Sequence, residues 1–71
     1  MNDVLIELGS HIKNVRKERH MSQMDLSLES GLNKNYISDL EKGRRNPTIK
    51  VLLKIAHALN IDLSTLLKGI Q

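Results

Sequence analysis

Apolar residues recur every three or four positions along most of the chain, and this spacing is typical of α-helices rather than strands. The first apolar stripe predicts a helix from about Asp3 to Arg19, and its members are Leu5, Leu8, Ile12 and Val15. Gly9 interrupts the stripe at a cost of about 1 kcal/mol. The helix is therefore expected to be firm only from Ser10 onward.

A second helix is predicted over residues 23–30 by the residues at its two ends. Ser22 is a suitable N-cap, because its hydroxyl can accept a hydrogen bond from a free backbone N–H in the first turn. Asp25 stands three residues later, where a full capping box has Glu or Gln. Gly31 ends the helix, since glycine readily adopts the positive φ of a tight turn.

Three further helices follow by the same reasoning. Asn33 is the predicted N-cap of the third helix, and Gly43 its stop. Thr48 is the predicted cap of a fourth helix over residues 49–59, and Asp62 begins a last turn or two before the chain ends. The fourth helix is expected to bury one stripe, formed by Ile49, Leu52, Leu53, Ala56 and Leu59.

Five short helices joined by brief links predict an all-α, compact five-helix domain that spans residues 1–71. Apolar residues make up 39% of the chain, yet it has no Phe, Trp or Cys. The core is therefore expected to be aliphatic, and neither a disulfide nor a thiolate metal site is available.

The spacing between residues 23 and 42 is that of a helix-turn-helix. Gly31 permits the sharp turn, and the apolar residues around it can close a small core between two crossing helices; they are Leu26, Leu32, Ile37 and Leu40. The opposite face of the chain's third helix, which is the second helix of the motif, is polar: Lys34, Asn35, Ser38 and Asp39. In proteins with this motif the second helix enters the major groove of DNA.

Three stretches, "LGSHIKNVRKERHMSQMDL", "SGLNKNYISDLEKGRRNPT" and "LLKIAHALNIDLSTLL", resemble the phage repressor and Cro type of helix-turn-helix regulator, the XRE family. They cover about residues 8–67. Within that family, "NYIS" followed by "EKGRRNPT" is most similar to the controller proteins of restriction–modification systems. The resemblance implies a repressor-like DNA-binding domain in the cytoplasm of a bacterium or encoded by a phage. Three residues depart from the family pattern: His20, Ser27 and Ser30.

The resemblance also implies which residues touch the bases. Lys34 and Asn35 open the third helix, where family members reach base edges; Lys can donate to guanine, and Asn can pair with adenine. Ser38 and Asp39 rank below them, with Asp39 as a cytosine acceptor or a negative selector. Tyr36 has two interpretations, a ring packed at the helix junction and a hydroxyl directed at DNA, and both are kept.

Contacts to the DNA backbone are implied on both sides of the third helix. The candidates are Ser22, Gln23, Lys42, Arg44, Arg45 and Asn46, of which Arg45 is also a candidate to reach a base edge. The resemblance pairs Arg16 with Glu41 in a partly buried, structural salt bridge.

The fourth helix has a second apolar face, which suits contact with a partner. One small domain also covers little DNA, and the two points together predict a homodimer. The candidate interface comprises Val51, Ile55, Ala58, Leu63 and Leu66, so residues 49–68 are assigned to dimerisation. A two-fold dimer would place its recognition helices about 34 Å apart on a palindromic site.

Charge narrows the choice of partner only partly. The net charge is +3, and residues 13–50 hold nine of the eleven basic residues, which suits double-stranded DNA but also an ordinary solvated surface.

His11, His20 and His57 lack metal-ligand spacing. We therefore expect no enzyme activity, metal, cofactor, small-molecule ligand or membrane contact. RNA polymerase becomes a partner only if the protein activates transcription. The rival hypothesis is a helical protein–protein module, an antitoxin or adaptor with the same fold.

Overall fold

Residues 3–70 are described by the computed structural model, and within that range the chain forms five helices and no strand. The helices are α1 (Asp3–Glu18), α2 (Gln23–Ser30), α3 (Lys34–Glu41), α4 (Ile49–Ala58) and α5 (Leu63–Leu66). The predicted all-α class is thus confirmed. Met1, Asn2 and Gln71, the ends of the predicted domain, lie outside the described residues.

Four helices begin at side chains that accept a backbone N–H from the first turn. The cap-to-amide distances are 2.9 Å at Ser22, 2.7 Å at Asn33, 3.1 Å at Thr48 and 2.8 Å at Asp62. Each bond satisfies one of the four N–H groups that a helix start leaves without a partner. The predicted start of each of these helices is therefore confirmed.

We expected Gly9 to weaken α1, but the helix continues through it without a break. Gly9 is buried where α1 crosses the end of α3. A Cβ atom at this position would lie 2.7 Å from the Glu41 carbonyl oxygen and 2.9 Å from the Glu41 carbonyl carbon, far inside van der Waals contact. The glycine lets the two backbones touch, and this close approach fixes the position of α3 on α1.

The core is aliphatic, as the composition predicted. It is formed by Leu8, Ile12, Val15, Leu26, Ile37, Leu40, Leu52, Ile55, Ala56, Leu59 and Leu66. Helix α1 packs on α3, while α2 packs on both α3 and α4, and α5 closes against α4. The polar face of α3 is left toward solvent, and all five helices contribute residues to the core beneath it.

The register predicted for α4 is partly wrong. Ile49 and Leu53, expected in the core, are 60% and 50% exposed, whereas Ile55, expected on a partner-facing surface, is 0% exposed. The buried stripe is the 3–4 series that runs from Leu52 to Leu59. Successive residues are about 100° apart around a helix, so Leu53 is turned away from the stripe that contains Leu52. Both stripes are apolar in the sequence, and only packing against α2 and α5 selects between them.

Leu66, the other predicted interface residue with no surface, is also 0% exposed. It lies in the one complete turn of α5 and fills the core beside α4. The assignment of Ile55 and Leu66 to a dimer interface is therefore wrong, because a side chain without exposed surface cannot contact another subunit. Val51, Ala58 and Leu63 are half-buried and keep some surface.

Candidate DNA interface

The turn between α2 and α3 has the geometry of a helix-turn-helix. Gly31 adopts the left-handed conformation with φ 76°, and its N–H donates to the Ser27 carbonyl. The Ser27 hydroxyl donates to the Leu32 carbonyl, so the serine that departs from the family pattern satisfies a carbonyl inside the turn. Ile37 is completely buried beneath α3. The turn is thus fixed by hydrogen bonds and by the core together.

The start of α2 carries a full capping box in which Asp25 serves where Glu or Gln is usual. The Asp25 N–H donates to the Ser22 hydroxyl oxygen at 2.9 Å, and the Ser22 N–H donates to the Asp25 carboxylate at 2.8 Å. Hydrogen bonding of the Asp25 carboxylate to the Ser22 backbone N–H, and second to the Ser22 side chain, holds the pKa of Asp25 below its ordinary value. Ser22 is exposed, so the helix start remains accessible to a phosphate group.

Arg16 and Glu41 form the ion pair that the resemblance implied. The Arg16 Nε donates to Glu41 Oε2 at 2.7 Å and its Nη2 donates to Oε1 at 3.0 Å, with side chains 8% and 3% exposed. The remaining Nη1 donates to the Met21 carbonyl at 2.8 Å. One guanidinium therefore connects α1, the α1–α2 link and the end of α3, and its bonds leave little of it for a phosphate.

Gln23 joins the same network, a role that sequence reasoning missed. Its side-chain Nε2 donates to Glu41 Oε1 at 3.0 Å. The interaction orients the amide at the first residue of α2, beside the free N–H groups of the helix start. Glu41 thus fixes both a helix end and a candidate phosphate ligand.

The exposed face of α3 presents its polar residues in order along the helix. Lys34 and Asn35 are exposed at the first turn, and Ser38 and Asp39 are half-buried one turn later. Tyr36 is half-buried, with its ring against the core cluster. The packed part of the Tyr36 prediction therefore agrees with the structure, while contact of its hydroxyl with DNA stays a prediction.

The loop after α3 turns back along that helix. Gly43, with φ 77°, donates its N–H to the Leu40 carbonyl at 3.1 Å, and the Arg44 N–H donates to the Asp39 carbonyl at 2.9 Å. This pair of bonds is the Schellman arrangement that ends many helices. The side chains that follow, Arg44, Arg45 and Asn46, are all exposed, as is Lys42.

Arg45 lies against two residues of α3, an arrangement that the sequence did not suggest to us. Its Nε is 3.7 Å from the Asp39 carboxylate, and its guanidinium carbon is 5.4 Å from the centroid of the Tyr36 ring. A basic residue two positions after a glycine turn, with an acid in the preceding helix, is the signal that could have indicated the pairing.

The described residues form neither a metal-binding cluster nor a membrane-spanning helix. Among residues 3–70 no group of three or more histidines and acidic residues is placed to hold a metal ion. Within the same range, no helix is both long and apolar enough to cross a bilayer.

Comparison with known proteins places this arrangement in a family. The helix-turn-helix family model matches residues 12–66. The control protein C.MunI of a Mycoplasma species is 38% identical over 72 residues, covering all of this chain and 97% of its own. The ImmF control region 10 kDa protein of Bacillus phage phi105 is 42% identical over 60 residues, covering 84% of this chain and 67% of its own.

A solved structure extends the similarity to three dimensions. The restriction–modification controller protein C.Esp1396I, crystallised as a tetramer with its natural 35-base-pair operator, superposes with a TM-score of 0.90. It is 33% identical, and the match covers 99% of this chain and 92% of that one. The fold and the exposed helix define a helix-turn-helix regulator. The chain belongs to the XRE-type helix-turn-helix family of transcriptional regulators, together with phage repressors and restriction–modification controller proteins.

Proposed function

We propose that the protein binds double-stranded DNA as a homodimer on a palindromic operator, with α3 in the major groove. The observation that carries the proposal is the division of α3 into two faces. Ile37 and Leu40 are 0% and 1% exposed on one face, while Lys34 and Asn35 are exposed at the first turn. A helix anchored so firmly on one side can present its other side to base edges without rearrangement.

Base reading is assigned first to the residues at the start of α3. Lys34 can donate to guanine O6 and N7, and Asn35 can pair with adenine N6 and N7. Ser38 and Tyr36 lie close enough along the helix to add contacts in the same groove.

Phosphate contacts are assigned to the groups on either side of α3. The start of α2 offers free N–H groups beside Ser22 and the Gln23 amide, and Glu41 restrains that amide at 3.0 Å. On the other side, Lys42, Arg44 and Asn46 are exposed after the helix. Contacts of this kind supply affinity and position rather than sequence preference.

The dimer interface is assigned to the exposed apolar surface of α4. Ile49 and Leu53 are one turn apart and 60% and 50% exposed, which suits burial against a second copy of the chain. The half-buried residues Val51, Ala58 and Leu63 keep some surface, but Val51 and Ala58 lie about 180° around α4 from the surface of Ile49 and Leu53. A two-fold axis through it would place two α3 helices about 34 Å apart, in successive major grooves.

The proposed role in the cell is supported by the relatives that this chain matches along its length. C.MunI, a control protein, is matched over 97% of its sequence, and we assign the protein to the same task, control of restriction–modification genes in the bacterial cytoplasm. RNA polymerase becomes a partner if the operator lies where the bound dimer activates a promoter. The concentration of dimer is then the quantity that regulates transcription.

The second candidate function is a protein–protein module with the same fold. It is favoured by Met24 and Leu28, which are 49% and 74% exposed one turn apart on α2. Two exposed apolar pairs on one small domain suit protein partners as well as a dimer.

A gel-shift titration with mixed genomic DNA at about 50 and about 200 mM salt separates the two functions. DNA binding predicts a steep loss of affinity with salt, because phosphate contacts release counterions. Arg44→Ala should make the slope of log affinity against log salt concentration (the salt slope) shallower by about one, the change expected for one lost phosphate contact. Lys68→Ala removes the same charge outside the helix-turn-helix and should leave the slope unchanged. Absent or salt-insensitive binding would favour the protein–protein module.

A further inference from the structure

The Arg45 guanidinium is restrained from two directions although it lies on an exposed loop. Its Nε is 3.7 Å from Asp39 Oδ2, and its guanidinium carbon lies 5.4 Å from the Tyr36 ring centroid. The Arg45 side chain is 53% exposed and the Asp39 side chain 35% exposed. The cation is therefore directed along α3 rather than away from it.

The backbone prepares this placement before the side chains meet. The Asp39 carbonyl accepts the Lys42 N–H at 3.1 Å and the Arg44 N–H at 2.9 Å, so the residue before Arg45 is anchored to Asp39 itself. Gly43 supplies the positive φ that reverses the chain. Asp39 thus fixes the loop with its carbonyl and the next side chain with its carboxylate.

Tyr36 provides the surface on which the cation rests. Its ring is half-buried against the core, so it cannot swing with the loop. An arginine above an aromatic ring is attracted to the face of the ring. Together, Tyr36 and Asp39 limit the positions available to the Arg45 guanidinium.

The location of Asp39 raises the question of what a carboxylate does on a DNA-facing helix. Asp39 follows Asn35 by four residues and Tyr36 by three, so it shares their face of α3. A carboxylate there repels phosphate groups unless a cation accompanies it. The nearest such cation is Arg45.

We propose that Asp39 is a specificity-determining residue that acts through Arg45 rather than by reading a base itself. It holds the guanidinium over Tyr36 in a position suited to one base edge, and it prevents Arg45 from serving as a general phosphate contact. Non-specific DNA then meets a neutralised pair, whereas the matching operator offers the guanidinium a base acceptor. The inference rests on the proposed operator binding and names a residue that sets its selectivity.

Removal of the Asp39 charge tests the inference. Asp39→Asn keeps the shape of the side chain and frees Arg45 to contact phosphates. We expect affinity for random-sequence duplexes to rise by about threefold to tenfold, and affinity for the duplex that the wild type selects to change by less than about threefold. The salt slope measured on random duplexes should become steeper by about one, the change expected for one added phosphate contact. Circular dichroism and a thermal melt establish that the variant is folded.

Glu29→Gln is the matched control, because it removes a carboxylate from the exposed end of α2 with the same change in net charge. It should alter the affinities for selected and random duplexes by the same factor. If it lowers their ratio as much as Asp39→Asn does, the effect belongs to net charge and the inference is overturned.

A double-mutant cycle with Arg45→Ala tests whether Asp39 acts through Arg45. In the Arg45→Ala background, Asp39→Asn should cause little further loss of selectivity, because Asp39 then has no guanidinium to position. Additive losses, or a loss confined to one cytosine position, would identify Asp39 as a direct base reader and overturn the inference. If the wild type selects no sequence at all, the proposed function fails first; if it does and the Asp39→Asn ratio equals the wild-type ratio, only this inference fails.

Discussion

Arg16 and Glu41 lie 25 residues apart in the sequence and join α1 to the end of α3 through two hydrogen bonds of 2.7 and 3.0 Å. The pair is nearly buried, with side chains 8% and 3% exposed. Gln23 donates to the same carboxylate, so the start of α2 is held by the residue that ends α3. The relative position of the two helices that face DNA in the proposed complex thus depends on one carboxylate.

The stability of the domain should therefore respond sharply to the loss of one partner of this pair. Glu41→Ala leaves the Arg16 guanidinium buried and unpaired, and we expect a loss of about 3–5 kcal/mol in the free energy of unfolding. Urea denaturation followed by circular dichroism measures the change. The double variant with Arg16→Met and Glu41→Leu, which removes both charges, should lose less than Glu41→Ala alone or Arg16→Met alone. If the double variant is the least stable of the three, the account of a stranded charge is wrong.

Gly9 should tolerate no side chain, although alanine is the better helix former. Gly9→Ala places a Cβ against the backbone of Leu40 and Glu41, so we expect a loss of about 3 kcal/mol or more, at the upper end for an overpacked site. The neighbouring exposed residue provides the control, since Ser10→Ala should be neutral or slightly stabilising. Thermal unfolding of both variants measures the difference, and equal melting temperatures would contradict the close approach of α1 to α3.

The capping box of α2 should make stability depend on acid pH. The pKa of Asp25 is lowered in the folded protein, so the unfolded chain takes up its proton first. The contribution of Asp25 is therefore complete above its ordinary pKa of about 4 and is lost as the pH falls through the lower, folded-state pKa. Stability curves for the wild type and Asp25→Asn should converge as the pH falls below about 4. A gap that stays constant with pH would mean that the carboxylate charge plays no part in the cap.

Dimerisation should depend on the exposed residues of α4 and not on its buried ones. Leu53 is 50% exposed, so Leu53→Glu should leave the subunit folded while it breaks the proposed interface. Sedimentation equilibrium should detect a shift toward monomer, and DNA affinity should fall with it. Leu28→Glu on α2 is a matched control that should leave the dimer intact. A Leu53→Glu protein that remains dimeric would place the interface elsewhere.

Lys34 should be a base reader and not only a source of positive charge. Lys34→Ala should cost about 1–3 kcal/mol on the preferred sequence and relax the preference at one base position. Competition gel shifts with single-base variants of the selected duplex measure this loss position by position. A uniform loss across all variants would identify Lys34 as a phosphate contact.

The sequence predicted what depends on local interactions. Caps such as Ser22 and Thr48 act within three residues, and the turn at Gly31 needs only positive φ, so the helix starts and the helix-turn-helix were predictable. The outward face of α4 was not, because Leu53 and Ile55 are equally apolar and the choice between them depends on helices far away in sequence. The same holds for Gly9, whose purpose is contact with the backbone of α3.

The candidate site divides in the same way. The order of residues along α3 follows from its periodicity, which placed Lys34 and Asn35 on the exposed side. The contact of Gln23 with Glu41 depends on how α2 packs against α3, and the spacing of residues in the sequence does not determine that packing. The position of Arg45 over Tyr36 depends likewise on how the loop folds back.

Selection of bound duplexes from a random-sequence DNA pool tests the central claim most directly. The wild-type protein should enrich a palindromic motif whose half-sites are about one helical turn apart, or a multiple of it, and the Leu53→Glu variant should fail to enrich the full palindrome. Enrichment of no motif, at a salt concentration where the folded protein is dimeric, would contradict operator binding by α3.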